Sequence, residues 1–405
     1  MKALGKSNDF KLEGGKKIRI GMFSWETAYS IRTGGLALAV TGMAKALAAK
    51  GHEVHLFTRM GDMQGDYDQI DGVNYHRCVF NPGWNLLEYA WNSCQAMIGR
   101  FYKVEETVGK FDIIHGHDWH VVDAMNELKN KGYRIVQSYH STEFGRAGNK
   151  MGDWWEFKKV SEKEWYGGYI ANRVTTVSGV LKDELKWLYQ MPDWKIDVVP
   201  NGIYPEKYFK KVDPGRVKEK YGIHPLNPTI LFIGRMDLQK GPDLLVEAIP
   251  HVLWHRPDAK FIMIGDGGLR LHLEWRVRDL GVSHAVRFFG SAPFETLVDA
   301  LNASDIVCIP SRNEPFGIVL LEAWAAGKAV VATDVGGLRE NIENFVDGVK
   351  VFTYPESIAW GINYMIDDPN RVQLLGANGK KKAEEKFSWQ AAAEKLLSTY
   401  QISMK

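Results

Sequence analysis

Short apolar runs alternate along this chain with stretches whose apolar residues recur at helical spacing, almost to the C-terminus. Lys17 to Ser24, Glu53 to Thr58, Asp112 to His115, Arg134 to Tyr139, Val174 to Val177 and Ile196 to Val199 read as one set of strands. Thr229 to Gly234, Lys260 to Gly265, Val286 to Phe289, Asp305 to Pro310 and Ala329 to Thr333 read as a second. Strands that take turns with helices predict parallel sheets wrapped by helices, an α/β fold. Between the sets, Pro200 to Pro228 holds five of the 15 prolines, which divides the chain into residues 1–205 and 206–386. A length of 405 residues also exceeds what one core usually sustains. Residues 387–405 read as a last helix.

The segment Arg312 to Gly337, RNEPFGIVLLEAWAAGKAVVATDVGG, carries the densest chemistry. Pro315 in a first turn and Gly327 after Ala326 predict a helix of about three turns between two parallel strands. Its N-terminus should face the carboxyl edge of the sheet, where ligands bind and free amides favour an anion or polar group. Eight helical residues turn through roughly 800°, which leaves Glu322 about 80° round from Glu314, so one molecule could touch both. The competing reading makes Glu314 a surface cap and Glu322 a solvated helix residue.

A second concentration follows the strand Ile230 to Gly234. Arg235 and Lys240 stand just before Gly241, Pro242 and a new helix, and two cations at a helix N-terminus suit a diphosphate. Gly34 and Gly35 follow the first strand and let the backbone approach a ligand closely. The interval of several residues after that strand, and Glu53 at the start rather than the end of the next, do not fit a dinucleotide fingerprint. His115, His117 and His120 flank Asp118 and Trp119, and His140 ends the next strand. A metal site is one reading of this cluster, but the spacing is not a helical pair and no cysteine is close. A polar wall gripping a ligand's hydroxyls is the other, with His115 and His117 serving structure. Gly265 to Gly268 reads as a tight turn. From Glu143 to Tyr169 the chain is aromatic and charged: Arg146 and Lys150 could hold an anionic group and Trp154 could stack on a ring, or the helical spacing of Trp154, Phe157, Glu164 and Trp165 could mean packing with a solvated charged face.

Composition narrows the partners. With 51 Lys and Arg against 49 Asp and Glu, the net charge of +2 gives no argument for nucleic acid. Cys78, Cys94 and Cys308 are odd in number and far apart, which fits a reducing cytoplasm better than a disulfide framework. No apolar stretch reaches the about 18 residues of a membrane span, and Met1 to Gly15, read as a tail or lid, lacks an apolar signal core. The aromatic stretch Trp84 to Tyr102 leaves surface contact with a membrane open but has few basic residues.

In order along the chain, GGLALAV, HDWH, GRMDLQKG and SRNEPFGIVLLEAWAAGKAVVATDVGG resemble the motifs of retaining glycosyltransferases of family 4 and of the glycogen synthase-like group. That resemblance implies the GT-B fold: two Rossmann-like domains with a cleft between them and a C-terminal helix that crosses back onto the first. It implies Glu314 near the transferred sugar, Phe316, Gly317 and Ile318 in donor binding with the first two amides at sugar hydroxyls, and Glu322 on the ribose. It places Arg235 and Lys240 on the diphosphate with Gly34 and Gly35 facing it, Asp118 and His140 at the reacting sugar, and Phe289 and Gly290 at the nucleobase. The activity implied is transfer of a hexose, glucose first among them, from UDP- or ADP-glucose to a hydroxyl acceptor such as a glucan, a polar glycoside or a sugar acid. Neither cofactor nor metal is implied. A sugar-nucleotide epimerase, a phosphorylase, a lipid-directed transferase and a non-catalytic carbohydrate binder remain as other readings, and base, acceptor, linkage and oligomeric state stay open.

Overall fold

A computed structural model describes residues 17–31 and 34–405. The reading of Met1 to Gly15 as a tail or lid lies outside the described residues.

Two sheets organise the chain. The first holds β1 (Arg19–Ser24), β2 (Glu53–Arg59), β3 (Tyr67–Ile70), β4 (Val73–Cys78), β5 (Ile113–His117), β6 (Ile135–Tyr139), β7 (Arg173–Thr176) and β8 (Ile196–Val198), in the order β3-β4-β2-β1-β5-β6-β7-β8. The second holds β9 (Thr229–Ile233), β10 (Lys260–Ile264), β11 (Val286–Phe288), β12 (Ile306–Ile309), β13 (Ala329–Thr333) and β14 (Val349–Val351), in the order β11-β10-β9-β12-β13-β14. Every pairing is parallel except β3 with β4. Central strands such as β6 and β13 are buried along their whole length, as expected of a sheet covered on both faces.

Three strands escape the apolar-run reading. β3 and β4 form a hairpin whose turn, Asp71-Gly72, takes φ of 52° and 79°, the left-handed pair that a two-residue hairpin needs. β4, reading VNYHRC, pairs with β2 although His76 and Arg77 break its apolar character. β14 is a short edge strand with Lys350 at its centre.

Helix Trp389–Met404 lies on the first domain. Trp389, Ala393, Leu396 and Tyr400 share a buried cluster with Ile20, Val40 and Leu56. Gly42 makes the approach possible, since a Cβ there would stand 2.2 Å from the Trp389 ring. Each large side chain buried in this seam contributes about 1.5–3 kcal/mol.

The order of each sheet reverses at one place, between β1 and β5 in the first and between β9 and β12 in the second. Open parallel sheets bind ligands outside the carboxyl ends of strands at such points. The segments after β1, β5, β9 and β12 therefore define where to look.

Candidate active site

On the second domain, the loop after β9 is shaped by Asp237. Its Oδ1 accepts from the Lys240 amide at 3.0 Å and its Oδ2 lies 2.9 Å from Arg235 Nη1. Gly241 then turns into helix Pro242–His255 with φ 63°, so close to β12 that a Cβ would meet the Pro310 carbonyl oxygen at 2.1 Å. This contact brings the loop after β9 against the loop after β12. Lys240 Nζ donates to Glu314 Oε2 at 2.8 Å, and Ser311 Oγ donates to the same oxygen at 3.3 Å. Glu314 is buried, while its partner Lys240 keeps 22% of its side chain exposed and Arg235 keeps 45%. The Glu314 backbone nests against two glycines: the Gly337 amide donates to its carbonyl at 2.7 Å, and a Cβ on Gly336 would lie 2.1 Å from that oxygen.

The helix that follows differs from its sequence reading. It spans Ile318–Ala325, about two turns, with Gly317 at its N-cap and φ 98°. Pro315 and Phe316 stand in the loop before it, because the left-handed turn at Gly317 interrupts the chain. The angular argument relating Glu314 to Glu322 therefore fails, since only Glu322 is on the helix. Glu322 is buried rather than solvated and its Oε1 accepts from the Tyr208 hydroxyl at 3.0 Å. Phe316 is buried against Phe387, and its carbonyl accepts from Asn341. Across the sheet, Phe289 is 44% exposed beside Tyr221, and Gly290 takes φ 52°. Gly265 and Gly267 pass so close to Gly234 and Met236 that a Cβ would fall within 1.8 Å and 2.6 Å of their carbonyls, which explains those glycines by packing alone.

On the first domain, Gly34 caps helix Gly35–Ala49, and its amide donates to Glu26 Oε2 at 3.0 Å. Gly35 borders the second domain, with Ile318 Cδ1 3.1 Å from a Cβ built there. Asp118 follows β5 with φ 58° and ψ 178°, a conformation outside the left-handed helical well and costly to any side chain. Its Oδ1 accepts from the His140 amide at 2.7 Å, which fixes the loop after β6. Burial pushes the Asp118 carboxyl up to about 6, against the pull of Arg146. Burial pulls His115 down to about 3, His140 to about 4, and His117 well below its ordinary value. All three imidazoles are neutral at pH 7. His117 Nδ1 and His140 Nε2 are 3.1 Å apart, so one ring donates and the other accepts. His115 bridges Tyr400 at 2.7 Å and Ser138 at 2.6 Å, the structural role that sequence left open for it. A cavity of about 20 Å³ borders these rings, and one water fits in such a space beside the unpartnered His117 Nε2.

The two faces are tied together. Asn149 Nδ2 donates to the Arg312 carbonyl at 2.8 Å, and Asn313 Nδ2 donates to Asn149 Oδ1 at 2.8 Å and Glu184 Oε2 at 3.3 Å. Ser178 Oγ donates to the Pro315 carbonyl at 2.6 Å, while Gln239 Nε2 donates to Ser141 Oγ at 3.3 Å and its Oε1 accepts from Arg235. These contacts place the loops carrying Arg235, Lys240, Glu314, Phe316, Gly317 and Ile318 beside the first-domain loops that carry Gly34, Gly35, Asp118 and His140.

Arg146 is placed otherwise than as an open anion site. Its guanidinium donates to Glu143 at 2.9 Å and to Glu164, and Glu164 also accepts from Tyr189 and the Glu143 amide. Burial would lower the Arg146 pKa, but the carboxylates outweigh it and hold the charge. Glu164, expected on a solvated face, is fully buried, and burial pushes it up to about 7. Lys150 is exposed, and Trp154 packs edge-on against Phe157. Among the described residues no group of three or more His, Cys, Asp or Glu is placed to hold a metal. Glu26, Gln239, Asn313 and Glu184 went unnoticed in the sequence, where isolated polar residues leave no periodic signal; only the paired glycines 336 and 337 could have pointed to the close approach at Glu314.

Known proteins agree with this architecture. The family model for Glycosyltransferase Family 4 matches residues 33–207, and that for Glycosyl transferases group 1 matches residues 215–382. An uncharacterised glycosyltransferase of Methanocaldococcus jannaschii is 36% identical over 396 residues, which is 96% of this chain and 99% of the relative. Sucrose-phosphate synthase from Thermosynechococcus elongatus superposes with a TM-score of 0.81 at 21% identity, over 95% of this chain and 98% of its own. HepE of Anabaena, solved with UDP and glucose, superposes with a TM-score of 0.75 at 19% identity, over 95% and 99%. The chain is a glycosyltransferase of this group, an enzyme with the two-domain GT-B fold.

Proposed function

We propose that this enzyme is a retaining transferase that moves a hexose, glucose first among the candidates, from a nucleoside diphosphate sugar to a hydroxyl acceptor in the cleft. The observation that carries the reading is the Lys240–Glu314 pair at 2.8 Å with Arg235 on the adjoining loop. A cation for a departing diphosphate and a carboxylate for a sugar meet where the sheet order reverses.

The bond from the anomeric carbon to the diphosphate oxygen breaks as the acceptor oxygen joins the same face, and the acceptor proton passes to the leaving oxygen. Charge accumulates on the diphosphate, and fixed cations stabilise that state more than the ground state. Arg235 and Lys240 take this part without a metal. The donor draws Lys240 from Glu314, whose carboxylate then accepts from a sugar hydroxyl. Neutral His140 and the carboxyl of Asp118 orient the sugar from the opposite face. UDP-glucose is the first donor to test, since HepE of similar fold was solved with UDP and glucose, and ADP-glucose the second. The acceptor is a glucan, a polar glycoside or a sugar acid. Three free, buried cysteines accord with work in the cytoplasm. No helix among the described residues is long and apolar enough to cross a membrane.

With UDP- or ADP-glucose as donor, Lys240→Ala is expected to lower turnover on the order of 10²–10³-fold while the thermal midpoint stays near that of the parent. Near-normal turnover by a folded variant would overturn the assignment. A new sugar nucleotide formed without acceptor would point to epimerisation instead.

A further inference from the structure

A second concavity opens at the carboxyl ends of β13 and β14, beyond the loops that hold Arg235, Lys240 and Phe289. Its volume is about 540 Å³, within the range of about 300–1,000 Å³ usual for small-molecule sites. Its walls are rings left in solvent: Phe352 is 67% exposed, Trp360 50%, and Phe345 and Tyr354 48% each. Phe352 and Tyr354 stack with centroids 5.9 Å apart and planes 8° off parallel. Opposite them, Phe345 stands edge-on to Trp360 at 6.4 Å, and Trp360 stacks on Tyr364 at 5.5 Å.

Phe345 takes φ 63°, a left-handed conformation that costs a bulky residue about 1–3 kcal/mol. Its amide donates to the Gly348 carbonyl at 2.8 Å, which holds the turn in place. A strained backbone that keeps an apolar ring in water runs against stability, and such outliers gather at ligand sites. Polar groups share the concavity: Asp334, Asn344, Lys350 and Glu356. Asp334 Oδ1 is buried with no hydrogen-bond partner, its cationic neighbours Arg339 and Lys350 standing at 3.4 Å and 3.5 Å.

This mixture selects its ligand. Lys350 and Arg339 already face Asp334, and Glu356 adds a further carboxylate, so no cation is left over to hold a phosphate or an anionic lipid head. A purely apolar partner would bury the Glu356 carboxylate and the Asp334 Oδ1 atom without a hydrogen bond. A neutral sugar chain fits both features: its C–H faces lie on aromatic rings, and its hydroxyls donate to the carboxylates and the Asn344 amide oxygen. The position also matters. Gly337, three residues after Asp334, donates to the Glu314 carbonyl, so the concavity adjoins the outer side of the loop that carries Glu314.

We propose that this concavity is a second, non-catalytic carbohydrate site that holds a stretch of a neutral oligosaccharide beside the cleft. The proposal goes beyond the transfer reaction and stands on separate residues. Its test is calorimetric titration of the full chain with maltohexaose, cellohexaose and mannohexaose. At least one is expected to bind saturably, with affinity at least tenfold weaker in both Phe352→Ala and Trp360→Ala and unchanged in Lys240→Ala. Because Trp360 also packs on Tyr364, Tyr354→Ala replaces it should Trp360→Ala fail to fold. Absence of binding by all three oligosaccharides overturns the proposal, as does unchanged affinity in the ring variants. A parent dimer in sedimentation that Phe352→Ala turns monomeric overturns it too, since a second copy of the chain would then be the occupant. Binding retained in Lys240→Ala keeps the outcome separate from any failure of the cleft chemistry.

Discussion

On the first-domain face of the cleft the polar side chains lose their solvent, and the imidazoles lose their charge with it; on the second-domain face charges are kept and paired. Burial makes His115, His117 and His140 neutral and pushes Asp118 up to about 6. Opposite them, Arg235 pairs with Asp237, Lys240 with Glu314 and Arg312 with Asp243, the three cations keeping from 22% to 45% of their side chains exposed. The two solutions differ in how easily they rearrange. A partly exposed ion pair contributes about 0–1 kcal/mol, so an anionic ligand can replace one member at little cost. A buried hydrogen-bond network resists change, because each broken bond strands a desolvated partner. One face is built to exchange partners and the other to stay still.

After Lys240→Ala, the largest expected effect tests whether the still face takes part in chemistry. Asp118→Asn keeps the side-chain shape and an oxygen that can accept from the His140 amide, so the fold should hold while the carboxyl charge disappears. Turnover is expected to fall on the order of 10²-fold, as when one preorganised electrostatic group is lost, with the donor KM within a factor of about three. Asp237→Asn, on the exchanging face, should cost less than tenfold, since the amide oxygen still accepts from Lys240. Equal losses in steady-state assays of the two variants would erase the contrast.

The sheets were more legible than the site. Strands such as Thr229–Ile233 and Ala329–Thr333 are apolar but for one terminal threonine each because both faces of the sheet are covered, and a strand buried on both faces announces itself. β4 stayed hidden because its His76 packs face-on against the Phe57 ring and its Arg77 donates to Tyr29 and Asp68, partners that no local pattern encodes. Arg235, Lys240 and Glu314 could be singled out because each follows a strand at a helix start, the one place where spacing carries chemistry. Pro315 misled, since its usual place in a first turn gave way to the left-handed Gly317. Arg146 misled for another reason: its partner Glu164 is 18 residues away, and the pairing of two buried charges cannot be told from two exposed ones by composition.

Acid should separate the faces further. The folded His115 takes up a proton only near pH 3, whereas the unfolded chain does so near 6.5. Its contribution is therefore complete above pH 6.5 and lost as pH falls, roughly 2 kcal/mol by pH 5 at 1.36 kcal/mol per unit. His76, His117 and His140 act in the same direction. Asp118 and Glu164 act in the opposite one, because their raised folded values favour the folded state in acid and lose that benefit as pH climbs through 6 to 7. Denaturant unfolding at pH 7 and pH 5 should show the His115→Gln variant losing roughly 2 kcal/mol less than the parent on acidification. An equal loss in both would mean that this imidazole is solvated or charged in the native state.

The smallest effect concerns what holds the faces together. Glu340, from the second domain, accepts from the Gly179 and Val180 amides at the start of helix Gly179–Tyr189 in the first. A carboxylate at a helix N-terminus is worth about 0.5–1 kcal/mol at a partly exposed position, and here that energy favours closure rather than the helix alone, since the cap leaves when the domains part. Glu340→Ala should therefore shift the balance toward the open form by a factor of about two to five. Domains that part would separate Lys240 from Asp118, so donor KM should rise by up to that factor while kcat is nearly kept, the reverse of the split expected for Asp118→Asn. Solution scattering should show a larger mean radius of gyration in the variant without donor. If KM and radius both match the parent, closure rests on Asn313 and Asn149, whose mutual bond at 2.8 Å survives the substitution.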